Sequence, residues 1–225
     1  MAIAFVQSAG SIYAPNVPSA GFAGCDIALT PAAGNTVLIC AMQLSTDDPP
    51  ILPAGFSVLT FRTNPDNHPS AMRWMGVAAK IADGTETSFL VYTPGGGSLA
   101  PVVVAEFSGL GLPVLDAMTD LETFADPLPW PSPAGMASGV ERLMLLLGGW
   151  DGGAVSIMPG APVATIGDQT TSGVVRRLVV GYRVVDPAAP PYTYSVTPVG
   201  TGGKIVMHAA VAAAATRAAF PPRFW

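Results

Sequence analysis

Five blocks of this sequence recur, in the same order, 103 to 106 residues further along the chain. Gly34–Met42 aligns with Gly139–Leu147, Leu52–Phe56 with Met158–Pro162, and Val77–Asp83 with Val180–Asp186. Thr93-Pro94 then aligns with Thr197-Pro198, and Val102–Ala105 with Ile205–His208. Each block is weak alone, but the shared order constrains the fold to two similar halves built from one plan. Pseudo-repeats are expected over 26–110 and 131–214, joined by a proline-rich connector over 116–138 and followed by an extended tail over 217–225.

Glycine (25) and proline (23) supply 48 of 225 residues, nearly double the usual share of about 12%. Such punctuation interrupts helices and favours many short strands between turns, as at Thr93–Ser98 and Asp186–Pro191. Half of the residues are hydrophobic, so the chain has ample material for a core and is not intrinsically disordered. The fold expected over 1–216 is all-β, an antiparallel β-sandwich of jelly-roll type whose two halves share one core. Asp126–Pro133 carries four prolines and reads as extended connector, neither helix nor central strand. Ile205–Ala215 pulls two ways, because its alanines favour helix while the repeat demands strand through Ala209. Residues 210–217 stay open between the two.

Alternation places the core. Met75, Val77, Ala79 and Ile81 form one apolar face of a strand, with Met72, Trp74, Gly76, Ala78 and Lys80 opposite. Leu178, Val180, Tyr182 and Val184 make an inner face, while Arg177, Val179, Gly181 and Arg183 point out. Val37–Leu44 and Leu143–Trp150 are apolar on both faces. Either a third layer of the same chain covers them or another subunit does. Low charge, 11% of residues against about 25% in ordinary domains, tilts the balance towards the subunit.

The ionisable residues point to no reaction. Nucleophile elbows, phosphate loops, dinucleotide fingerprints and metal-ligand spacings are absent from the sequence, so no catalytic, cofactor or metal residue is assigned. His68 falls in a loop and His208 in an apolar strand. Glu106 is the residue that a glycosidase reading would use, but near a strand end it is expected to face solvent. Asp47, Asp48 and Asp151 are read as turn formers rather than calcium ligands. Cys25 and Cys40 are read as buried small side chains. Two lysines and a net charge of −5 exclude a phosphate-binding footprint, so nucleic acid is not an expected partner. No secretory leader is recognised at the N-terminus, and no apolar run reaches the roughly 20 residues that span a bilayer, so synthesis in the cytoplasm and no membrane insertion are expected.

The aromatic residues carry the remaining expectations. Trp74, Trp130 and Trp150 are candidates for exposed rings, Trp74 and Trp130 as glycan contacts and Trp74 and Trp150 as interface anchors. Phe220, Phe224 and Trp225, beside two prolines, read as an anchor for a neighbouring subunit or for the chain's own sandwich.

The layout of Gly34–Leu38, Leu52–Phe56, Ala78–Gly84 and Ala105–Leu110 resembles the β-sandwich domains of tailed-bacteriophage virion proteins and gene transfer agents. The resemblance spans about residues 1–215 and lies in the arrangement of turns and strands. It implies a non-enzymatic structural protein on the outer surface of a virion, as decoration, spike or tail-fibre component. The implied partners are other virion proteins, copies of itself and a host-surface glycan. A stand-alone carbohydrate-binding module is the alternative, and a glycan-degrading enzyme a more distant one.

Overall fold

A computed structural model of the chain describes residues 2–11, 23–44, 49–63, 72–93, 101–123, 128–130, 133, 141–151, 163–170, 176–185, 194–196 and 204–213. Within these residues every regular element is a strand. The first seven are β1 (Ala4–Ser11), β2 (Ala23–Ala28), β3 (Thr36–Leu44), β4 (Ser57–Thr63), β5 (Met72–Ile81), β6 (Ser88–Thr93) and β7 (Val102–Ser108). The next seven are β8 (Pro113–Thr123), β9 (Leu128–Trp130), β10 (Arg142–Asp151), β11 (Ala164–Thr170), β12 (Arg176–Val185), β13 (Tyr194–Val196) and β14 (Lys204–Ala213).

All pairings are antiparallel. The first sheet runs β1-β7-β3-β5-β4 and the second β8-β14-β10-β12-β11, with β2-β6 and β9-β13 as separate two-stranded sheets. The strand orders therefore correspond one for one. In each set the pairing is nested: β1 with β7, β2 with β6 and β3 with β5, then β8 with β14, β9 with β13 and β10 with β12.

The two large sheets lie face to face, β1 beside β11 at one rim and β4 beside β8 at the other. Residues from both sheets build the main core, including Leu38, Cys40, Met75, Val77, Val103 and Phe107 against Leu143, Leu145, Leu147, Val180, Met207 and Val211. Phe5, Phe107 and Tyr182 tie the sheets with ring centroids 5.3–5.7 Å apart. At the β1–β11 rim the Ser8 hydroxyl donates to the Ile166 carbonyl at 2.6 Å. Gly167 lets β11 approach β7, since a Cβ there would lie 2.4 Å from a Val103 methyl. The other rim is tied by the Arg62–Asp120 ion pair between β4 and β8.

The doubly apolar strands find cover within the chain. Val37, Ile39, Ala41, Val102 and Val104, on the outer face of the first sheet, pack under Cys25, Ile27, Phe89 and Val91 of the β2–β6 pair. On the second sheet Met144 packs with Val185 and Ala210, and Leu146 and Trp150 are fully buried. A third layer, not another subunit, thus resolves the apolar excess that the sequence left open. Val179 is buried as well, so β12 is covered on both faces rather than half-solvated.

Three further expectations change. Strand β14 continues through Ala213, because β8 and β10 supply backbone partners on both sides and override the helix propensity of alanine. The segment read as connector begins with the edge strand β8 and includes β9. The alignment of Val102 with Ile205 is out of phase, since Val102 faces the β2–β6 cover and Ile205 the main core. Setting Leu38 against Leu143, whose partners are Ala105 and Val211, moves that block by three residues.

Candidate functional site

Glu106 lies on the outer face of β7 and is fully buried, contrary to the expectation of a solvent-facing residue. Its position beside β1 and the 29–35 turn explains this, because those segments close over it with donors. Gln7 Nε2 donates to Oε2 at 2.6 Å, while Asn35 Nδ2 and the Ala32 N–H donate to Oε1 at 2.5 and 2.9 Å. Burial pushes its pKa up, but the bonds from Asn35, Gln7 and Ala32 outweigh it and hold the carboxyl below the usual glutamate range. A carboxylate kept ionised and saturated with donors is a strand tie, not the proton-bearing acid that glycoside hydrolysis needs.

Other described charges are engaged in the same way. Arg142, at the start of β10, donates from Nε to Asp116 at 2.5 Å, and Asp116 sits at the bulge of β8 opposite Ala210 and Val211. Arg177 pairs with Asp168 across β12 and β11, which raises the arginine pKa. Lys80 reaches Glu86 at 2.6 Å over the turn 83–86, where Asp83 accepts from Thr85 and Glu86 from the Asp83 and Gly84 amides. Among the described residues no cluster of three metal-ligating side chains occurs. Asp47, Asp48 and His68 lie outside the described residues.

Both cysteines are buried thiols that are not joined to each other, Cys25 in the cover layer and Cys40 in the main core, with the first sheet between them. Burial pushes the Cys25 thiol up to about 11, partly offset by its hydrogen bond to Ser11, and the Cys40 thiol up to about 12. Neither is a thiolate at neutral pH. His208 is buried in β14 among apolar neighbours.

Trp74 and Trp150 are not exposed rings. Trp74 is 2% accessible and Trp150 is fully buried, because each points from a central strand into a covered outer face. Neither presents a glycan platform or a free anchor. The Trp130 side chain and residues Phe220, Phe224 and Trp225 lie outside the described residues.

The feature that sequence reasoning missed sits at the β4 edge. Phe61 is 54% exposed and stacks on buried Trp74, with centroids 6.3 Å apart and planes 13° from parallel. Trp74 lies over Gly76, whose lack of a side chain makes room, since a Cβ there would meet the indole at 2.7 Å. Pro49, Val58, Phe61, Thr63 and Trp74 together line an apolar cleft of about 180 Å³. The indole Nε1–H of Trp74, and both amide atoms of Gln43 directly across the strand pair, are buried without a hydrogen-bond partner among the described residues. A buried polar group left in this way costs about 1–3 kcal/mol, so the pair marks a place where the chain departs from a fully satisfied interior. The legible signal was Phe61 and Val58 in a strand with no apolar alternation of its own.

Compared with known proteins, the chain matches no family model, no curated protein and no solved structure. Its class therefore rests on the fold: an all-β protein of antiparallel sheets in a sandwich-like arrangement. No helix among the described residues is long and apolar enough to cross a membrane.

Proposed function

We propose that this chain is a non-enzymatic structural protein of a phage-type virion, carried on the particle surface as a decoration, spike or fibre component. The observation that supports the reading best is where its exposed apolar side chains lie. Five of the seven exposed large hydrophobics among the described residues, Val58, Phe61, Leu112, Val114 and Leu115, lie on or beside the two edge strands β4 and β8. Open strand edges with apolar side chains are positions at which other chains add on. The described ion pairs meanwhile join strands or brace a turn, which suits a scaffold. The finer architecture belongs to the same proposal. Two nested antiparallel units, each wound in jelly-roll fashion with its own two-stranded cover, arose by duplication and meet face to face about an approximate twofold. The matching strand orders and the β1–β11 and β4–β8 rims support that reading.

Assembly tests the function. Size-exclusion chromatography with light scattering is expected to give an oligomer, or a complex with companion virion proteins, that Leu112→Glu with Val114→Glu dissolves. A wild-type chain that remains monomeric and joins no particle overturns the proposal. A monomer that binds a glycan array would instead favour a carbohydrate-binding module, with Trp130 the sequence candidate still eligible.

A further inference from the structure

We propose that a second copy of this chain docks on the outer corner of β4, the two Phe61 rings meeting about a twofold axis to give a stack Trp74–Phe61–Phe61–Trp74. This names the partner within the assembly reading above and rests on it. The first argument compares two corners at corresponding positions. β4 pairs with β5 as β11 pairs with β12, and the registers match residue by residue around the bulges at Leu59 and Ile166. Val58, Phe61 and Trp74 thereby occupy the places of Thr165, Asp168 and Arg177. On β11 and β12 that corner carries an ion pair, Arg177 Nε donating to Asp168 at 2.5 Å, with Thr165 exposed on the same strand. On β4 and β5 it carries the aromatic stack, with room made by Gly76 where β12 has Val179. The strand positions themselves thus accept polar side chains in water. The apolar set on β4 answers a contact rather than a demand of the fold.

The second argument selects a copy of the chain as the occupant. Phe61, 54% exposed, stands at the wall of the cleft of about 180 Å³ that it lines with Pro49, Val58, Thr63 and Trp74. A projecting ring and a cleft in one patch are self-complementary under a twofold, which sets each ring against the other's cleft. Charge agrees with this. Among the described residues no ionisable side chain lines the cleft, so two chains of net charge −5 meet here without opposing like charges. Arg62, the charged neighbour of Phe61, is already paired with Asp120. Head-to-tail docking on the corresponding corner would instead press Phe61 against the Asp168–Arg177 pair and strip that pair of water, an unfavourable exchange. A closed pair of copies follows, not an open filament.

Sedimentation equilibrium of the full chain is expected to give a dimer whose Kd rises at least about tenfold in Phe61→Asp, the side chain that β11 carries at this place. Phe61→Cys is expected to form an intermolecular disulfide under mild oxidation, because the residue lies at the axis, whereas Thr165→Cys gives no covalent dimer. Cys25 and Cys40 stay silent in that experiment, being buried thiols. Circular dichroism verifies that each variant folds, and should Phe61→Asp fail to fold, Phe61→Cys carries the test. A dimer that Phe61→Asp leaves at wild-type affinity, or a Phe61→Cys chain that does not cross-link, overturns the proposal. If Leu112→Glu with Val114→Glu dissolves such a dimer, the assembly reading stands while this contact falls. A wild-type monomer that still joins a particle likewise overturns the self-contact alone, since the occupant is then a companion protein.

Discussion

At the residue scale the structure depends on a few buried charges whose partners are remote in sequence. Glu106 unites Gln7, Ala32 and Asn35, drawing β1, β7 and the 29–35 turn together. Glu106→Gln replaces one carboxylate oxygen by an amide nitrogen that faces a donor, and is expected to cost about 2–3 kcal/mol in denaturant unfolding. The pH dependence follows from the direction of its shift. Because the folded-state pKa lies below the unfolded one, its contribution is complete above the ordinary glutamate value of about 4.3 and is lost as pH falls through the folded value. The variant's stability should accordingly depend less on pH below about 5 than the wild type's, read as denaturation midpoints across that range. Gly109 illustrates a backbone constraint of similar reach: its φ of +76° and a Cβ position 2.1 Å from the Ala2 carbonyl oxygen leave room only for glycine.

At the element scale the decisive pieces are the two-stranded covers and the bulges. Without β2 and β6, the faces of Val37, Ile39 and Val104 would meet water. Phe89 is the largest fully buried side chain of that cover and packs edge-on against Phe56, centroids 5.7 Å apart. Phe89→Ala is expected to lower stability by about 3–5 kcal/mol, measured by denaturant titration, and to expose an apolar face detectable by dye binding. Leu59 in β4 and Ile166 in β11 occupy corresponding bulges, and both turn into the main core. Each rim thereby closes over the sandwich with one inserted residue, the local bend that a bulge provides.

At the scale of the whole molecule the two sheets have one core between them. Among the described residues, Leu38, Val77 and Val103 of one sheet pack in a single cluster with Leu145, Val180 and Met207 of the other. The described residues should therefore unfold in a single cooperative transition, with tryptophan fluorescence and far-ultraviolet circular dichroism giving coincident midpoints. Two separated transitions, one for each sheet, would show that the halves hold independently. Self-coverage also relocates the case for assembly. Among the described residues the exposed large hydrophobics are concentrated at the β4–β8 rim.

The amino-acid order alone determined the strand class and the alternation of faces on β5 and β12, because turn residues and period-two patterning are local properties of a chain. It also presented Val37–Leu44 and Leu143–Trp150 as buried on both faces. What covers those faces, that Glu106 is interior, that Trp74 and Trp150 are enclosed and that Phe61 is the exposed ring were decided by tertiary structure. Each depends on contacts between segments tens to a hundred residues apart, and a strand's pattern records that a face is buried without recording what lies against it.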